Sequence, residues 1–451
     1  MKSWCTIFIF FTLSFGLKAQ YKFQNLRYDE DYSYLKNDTT KSWYKKIKFT
    51  KLNANATSYL SNGCEVRYQF QHLTNEDWGD IPVESYNSFY TRFLYHTDFH
   101  FSKHFRFFNQ FNSTFAEGRV TPNRPIDQNV LDIQQIFFDV NPLESLTFRF
   151  GRQELLYGSQ RLIAVREGPN NRQSYDAAKI FWKKKNLKID AYYSHPVRVQ
   201  QAMFDDKFNE QEKLWSTYTV WNAIPKIHNI DIYYIGYYNQ SKRYNSGIGE
   251  EVRHSVGTRI WRKSNTWNYD FEALYQFGSW GNQYINAYTA SIDLNYTFDK
   301  RKTEPTIGVK TEIISGDKSK NDNQLNTFNP LFPRGAYFGL AALIGPVNLI
   351  DFHPNFSFKP FKYFEVSADY DVFWRYSVNE GIYGPNVMLI FDDQSTSRFI
   401  GHQLGLALEY QPNAFIKLTP EAMWFYPGQY LKDVSPGMQV FFAAFTTQFK
   451  F

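Results

Sequence analysis

The sequence predicts an all-β fold, a transmembrane antiparallel barrel of about 18 strands with short periplasmic turns and long extracellular loops. Three observations predict it: period-two alternation in stretch after stretch, connectors that alternate short and long, and a last stretch that ends on an aromatic. In that stretch, Gly437 to Phe451, residues Phe441, Ala443, Phe445, Phe449 and Phe451 share one side. Val440, Thr446, Gln448 and Lys450 fall mostly on the other. Such alternation separates lipid-facing from lumen-facing side chains in an outer-membrane barrel.

At the start, Lys2, the apolar run Thr6 to Leu17 and Lys18-Ala19 before Gln20 predict a signal peptide over residues 1–19. The remainder contains no uninterrupted apolar run of the roughly 18 residues expected of a spanning helix. Gly339 to Ile350 comes nearest and is interrupted by Pro346. Aromatics make up 20% of the chain, yet mean hydropathy is −0.51. That is too polar for a helical membrane protein and unusually aromatic for a soluble one. A barrel reconciles the two, because half of each strand faces water and aromatic girdles sit at both interfaces. A soluble sandwich or β-helix would need alternation as well, but neither aromatic-rich outer faces nor a terminal Phe.

Residues 20–62 are rich in Lys, Asn, Thr and Tyr and show little alternation, which predicts a periplasmic lead-in before a barrel over 63–451. The lead-in is too short for a separate plug domain. Period-two stretches then run near 64–72, 87–101, 104–116, 131–140, 145–156, 175–183, 187–195, 214–224 and 229–240. They continue at 251–262, 266–278, 283–297, 305–314, 347–358, 363–376, 399–410, 415–426 and 438–451. Short connectors include Ser102-Lys103, Asn141 to Glu144, Lys184 to Asn186, Pro225 to His228 and Gln411 to Asn413. Between the short ones lie His72 to Tyr86, Tyr157 to Ser174, Ser241 to Glu250, Ser315 to Pro346, Ser377 to Arg398 and others, nearly all longer. This order puts both termini on the periplasmic side. Ser279 to Asn282 is the exception, a short connector in a long-loop place, where the strand pair is expected to extend beyond the membrane.

Cys5 lies in the leader, so Cys64 is the sole mature cysteine and no intrachain disulfide forms; its expected role is packing. The net charge of +6 is spread along the chain and gives no support to nucleic-acid binding.

Assigning apolar residues to lipid fixes the other set inside, since a slip by one residue would place charges in hydrocarbon. Inward then come Glu65, Arg67 and Gln69; Arg92, His96 and Asp98; Arg106, Gln110, Asp139 and Arg149; Asp190, Arg253 and Arg259. So do Asp270, Glu272, Asp293, Lys310, Glu312, Asp369, Asp371, Arg375, Gln403, Glu409, Lys417 and Glu421. Such a lumen holds water. Arginine is its informative member, because the planar fork grips carboxylates in bidentate fashion. The competing expectation is that these arginines pair with lumen acids and stiffen the wall.

Arg149 to Trp182 read R-F-G-R-Q-E-L-L-Y-G-S-Q-R-L-I-A-V-R-E-G-P-N-N-R-Q-S-Y-D-A-A-K-I-F-W. With E-V-R-Y-Q-F at Glu65 to Phe70, D-F-E-A-L-Y-Q-F-G at Asp270 to Gly278, G-V-K-T-E-I-I-S-G-D at Gly308 to Asp317 and the Phe328 to Gly339 segment, this block resembles the alginate-export family of outer-membrane porins. The resemblance implies an eighteen-stranded barrel in a Gram-negative outer membrane, passing an anionic polysaccharide or oligosaccharide such as a polyuronate through an arginine-lined constriction. It implies no catalysis and no cofactor. The basic lining would fall on Arg67, Arg92, Arg149, Arg152, Arg161, Arg166, Arg172, Arg259, Lys310 and Arg375. The face assignment agrees for Arg67, Arg92, Arg149, Arg259, Lys310 and Arg375. Arg152 has lipid parity, and Arg161, Arg166 and Arg172 sit in a long loop. For those four to line the pore, Gly151 must mark a bulge and the loop must fold inward, with turns at Gly158 and Gly168-Pro169. The other expected partners are outer-membrane lipid and the barrel-assembly machinery, engaged through the C-terminal strand ending in Phe451.

Other chemistries compete. His96, Asp98 and His100, with His104 across a turn, share one face as metal ligands would. Successive same-face residues stand about 7 Å apart, however, which favours water-exposed histidines. A hydrolase would need a Ser–His–acid set; His353 faces in beside Asp351 and Asn355, with Ser357 further along, but no nucleophile motif is present. His254, near Ser255, faces lipid. A general small-solute porin of the same architecture and a surface adhesin using the long loops are the remaining readings.

Overall fold

A computed structural model describes residues 23–224 and 228–451. The predicted leader lies outside the described residues, as does most of the Pro225 to His228 turn. Eighteen strands close into one antiparallel barrel. They are β1 (Tyr59–Thr74), β2 (Ser85–His100), β3 (Phe105–Glu117), β4 (Asn129–Leu143), β5 (Leu146–Gln153) and β6 (Tyr175–Lys184). Next come β7 (Leu187–Pro196), β8 (Glu212–Ile224), β9 (His228–Tyr244), β10 (Gly247–Arg262), β11 (Trp267–Trp280) and β12 (Gln283–Thr297). The last six are β13 (Thr306–Ile314), β14 (Leu349–Phe358), β15 (Phe364–Arg375), β16 (Phe399–Tyr410), β17 (Ile416–Pro427) and β18 (Val440–Lys450). Each strand pairs with its sequence neighbours. The seam closes between β1 and β18, from Glu65 opposite Lys450 to Leu73 opposite Phe442. Closure removes every free edge, which a membrane requires because no water is there to satisfy one.

The outer surface carries the aromatics: Tyr68, Phe89, Phe93, Phe138, Phe150, Tyr275, Phe445 and Phe449 are exposed. Their neighbours Glu65, Arg67, Arg92, Asp139, Arg149 and Gln276 are buried inside. The parity read from the sequence is the parity of the barrel. Two connectors at the loop end differ in kind from the others. Strands β11 and β12 meet across Gly281-Asn282, with Gly281 at φ +52°, as the exception at Ser279 to Asn282 anticipated. Strands β9 and β10 likewise run on to Tyr244 and Gly247, so the predicted loop Ser241 to Glu250 is mostly hairpin.

A barrel this wide cannot be filled by wall side chains alone. The long connectors fill it instead. Segments 154–174, 315–348 and 376–398 turn inward and bury Leu155, Leu162, Ile163, Phe328, Phe332, Phe338, Val347 and Tyr383 in one apolar cluster. The first two pair with each other: Ala164 N–H donates to Phe332 O at 2.9 Å, and Phe332 N–H to Leu162 O at 2.9 Å.

The turn end is covered by the chain before β1. Helix α1 (Trp43–Lys48) starts at Ser42, whose hydroxyl accepts from Lys45 N–H. Tyr32, Leu35, Tyr44 and Phe49 pack with Tyr59 and Phe415. Arg27 donates to the Phe451 carbonyl at 2.8 Å and pairs with Glu30 at 2.8 Å, tying this segment to the seam. Tyr28 meets Phe108 and Phe137 edge-on, and its hydroxyl donates to Glu154 O at 2.7 Å. The lead-in therefore reaches an inward-folded loop.

Candidate functional site

The segment Arg166 to Arg172 is held by the wall. From β1, Arg67 donates to the carbonyls of Glu167 and Pro169, both at 2.9 Å, and to Asn170 Oδ1 at 3.2 Å. From β2, Arg92 bonds Glu65 through Nε at 3.0 Å and also pairs with Glu167. Arg172 completes the latch, 3.1 Å from Glu154, 3.3 Å from Glu167 and donating to Asn25 O at 2.8 Å. Asn170 Nδ2 reaches the carbonyls of Thr91, Phe115 and Asp127. Burial nevertheless pushes the Glu154 carboxyl up to about 7.

The ten basic residues read from the sequence divide by partner. Six meet carboxylates. Arg92 does so in the latch, as does Arg172. Arg149 bonds Asp139 at 2.7 Å with its guanidinium over Tyr28 and Phe137; Arg259 lies 3.0 Å from Asp231 and 2.5 Å from Asp270. Arg161 pairs with Glu272 at 3.2 Å and with Glu312. Arg152 bonds Asp176 at 2.9 Å. It stands opposite Ile136, an exposed outer-face residue, and so keeps the outward parity; Gly151, at φ +126°, sits against the Ile136 carbonyl with no room for a side chain.

The other four, Arg67, Arg166, Lys310 and Arg375, have no carboxylate within 4.0 Å among the described residues. Arg166 donates to the carbonyls of Pro333 and Pro385, both at 3.3 Å. Burial lowers its guanidinium from the ordinary value. Lys310 lies over the rings of Tyr337 and Phe338, 4.5 and 5.3 Å from their centres. Arg375 donates only to carbonyls, among them Val378 and Glu380, and stacks on Tyr430 at 4.0 Å. Above the latch a cavity of about 420 Å³ opens between the loops, walled by Tyr90, Arg119, Arg166, Asp77, Leu340 and Phe391 among others.

The sequence profile for alginate export matches residues 58–440. The chain belongs to the alginate export family. A search of curated protein sequences gave no match. Among solved structures, a BenF-like porin from Pseudomonas fluorescens Pf-5 aligns with a TM-score of 0.60 at 10% identity, over 87% of this chain and 98% of that one. Pseudomonas aeruginosa OccK2 (OpdF) in complex with glucuronate aligns at 0.55 and 9% identity, over 87% and 97%. OccD3 (OpdP) of the same species aligns at 0.53 and 12%, over 90% and 93%. At such identities the likeness is one of fold. This alginate export family member thus has the barrel fold of outer-membrane porins.

One inward-facing group was visible in the sequence only as a hydrolase candidate. In this family member His353 turns to Asp371 and Asp369 on the next strand, not to Ser357. Of the β2 histidines, expected to be water-exposed, His96 is buried and His100 partly so. His100 Nε2 lies 3.0 Å from Asp98, which Arg106 also bonds at 2.7 Å, and His96 stacks on Phe108. Asp98 is spent on an ion-pair network there.

Proposed function

We propose that this family member is a passive diffusion channel for anionic saccharides of the uronate class, with both termini in the periplasm. The observation that carries the reading is the division of the basic residues. Arg92, Arg149, Arg161, Arg172 and Arg259 are paired with acids while holding loops and wall together, whereas Arg67, Arg166, Lys310 and Arg375 meet carbonyls or rings and no carboxylate. A guanidinium held by carbonyls alone in a low-dielectric surrounding favours an anion beside it. Arg166 stands at the wall of the cavity between the loops. The family match and the glucuronate complex of the similarly folded OccK2 support the same solute class. Passage needs no covalent step.

Arg166→Glu combined with Lys310→Glu tests the reading, because neither residue anchors a carboxylate whose loss would unfold the barrel. In planar bilayers under a potassium chloride gradient, the reversal potential should move toward cation preference, while heat-modifiable migration stays native. An unmoved potential would leave a general small-solute porin.

A further inference from the structure

Strands β14 and β15 bring His353, Asp369 and Asp371 together on the lumen face. The register sets Asp351 opposite Phe373 and Asn355 opposite Asp369, so His353 comes level with Asp371. His353 Nδ1 lies against Asp371 Oδ1, and its Nε2 is 3.7 Å from Asp369 Oδ2. One donor atom from each of the three lies within 4.8 Å of the other two. Asp371 is fully buried, and its second oxygen accepts from Gln403 Nε2.

A second observation comes from the adjoining inward position. Asp351, on the same face two residues before His353 and diagonal to Asp371, is fully buried, and neither of its carboxylate oxygens has a hydrogen-bond donor. Buried carboxylates are found paired or on metal ions, because desolvation is otherwise uncompensated. Among the described residues no basic nitrogen lies within 4.0 Å of the Asp351 carboxylate. Glu272, Glu312, Asp351, Asp369 and Asp371 share this stretch with Arg161, Lys310, Arg334 and His353. Arg161 is occupied by Glu272 and Glu312, and the Lys310 ammonium lies over two rings. Five carboxylates thus face four cationic groups even with the imidazole protonated, so negative charge remains in excess.

We propose that His353, Asp369 and Asp371, with Asp351 behind them, bind a divalent transition-metal cation on the inner wall. The donor set of one imidazole and several carboxylates suits Zn²⁺ or Mn²⁺, whereas Ca²⁺ and Mg²⁺ favour oxygen alone. One imidazole nitrogen would take the ion and the other donate to the remaining carboxylate, the usual arrangement of a ligating histidine. The ion would fasten β14 to β15 and cancel the excess negative charge facing the solute path. This inference does not depend on the identity of the solute.

The test uses the full chain folded in detergent and stripped with chelator. Manganese uptake is followed at neutral pH by loss of the free-ion electron paramagnetic resonance signal, and zinc uptake by calorimetry. A single saturable ion per chain is expected, weakened about tenfold or more by Asp369→Asn, Asp371→Asn and His353→Gln. Asp205→Asn, in the separate group Asp132, Asp205 and Asp206, should leave it unchanged. Heat-modifiable migration checks each fold, and His353→Gln alone decides should an Asp variant fail to assemble. Absence of saturable uptake, uptake that all three variants leave unaltered, or loss through Asp205→Asn instead would overturn the assignment.

Discussion

The wall made by β1 to β5 and the wall made by β14 and β15 both carry dense charge into the lumen, yet they balance it differently. On the first, Arg92 meets Glu65, Arg106 meets Asp98 and Arg149 meets Asp139, and Arg67 closes on the carbonyls of the inward loop. On the second, Asp351, Asp369 and Asp371 gather around one histidine. The first wall is a clamp in which each named carboxylate meets an arginine and Arg67 alone meets no carboxylate. The second stores charge that structure does not require, and the same mutation type should therefore act differently on the two.

The largest effect is expected at the clamp. Arg92→Ala leaves the buried Glu65 with Lys450 at 3.4 Å as its one remaining basic partner and takes the nearer pair from Glu167, which costs up to about 3–5 kcal/mol. Denaturant unfolding followed by heat-modifiable migration measures the loss; a cost no greater than that of an exposed pair would dissolve the distinction. Asp351→Asn, in the presence of chelator, should instead leave the barrel as stable or stabilise it by up to about 1 kcal/mol, since no donor or base meets the buried carboxyl it replaces. Destabilisation by that change would show the second wall to be a clamp as well.

A smaller effect separates the loops from both walls. Glu380, in segment 376–398, accepts from Thr327 Oγ1 at 2.6 Å, Tyr383 Oη at 2.7 Å and Asp317 N–H at 2.5 Å, joining two inward loops. Burial still pushes its carboxyl up to about 7 from an ordinary 4.5. A carboxyl raised in the folded state is protonated there while the unfolded chain is already ionised. Its seating is complete below the ordinary value and weakens as pH rises through about 7. Conductance should therefore rise over that interval as the loops loosen, and Glu380→Gln should flatten the profile at its acid level. A profile identical in wild type and variant would remove Glu380 from the loop contact.

How much of this could be read beforehand follows the range of each interaction. Strand number and parity were legible because alternation is local and a slip of one residue would put charge in lipid. The loop Ser241 to Glu250 was not legible as hairpin, since above the membrane the outer face no longer needs apolar residues and the alternation fades. The segment R-E-G-P-N-N-R stood out as a motif, and an inward fold was required for its arginines to matter. That Arg67 and Arg92 grip it was not visible, because residues 75 to 100 positions apart leave no pattern in either stretch. Parity placed Arg67, Lys310 and Asp371 inward, but could not tell which would find a counter-charge. The reach of Tyr28 into the barrel was hidden for the same reason: it rests on two rings and one carbonyl from distant strands.

Solute uptake by liposomes holding the purified wild-type chain decides whether the lumen passes and prefers anions, with glucuronate and glucose compared at equal concentration and ionic strength. A passive anion-favouring lumen predicts uptake of both, with glucuronate faster and the preference shrinking as salt screens the four free cations. Uptake of neither sugar, or glucose entering as fast as glucuronate at low salt, would contradict it.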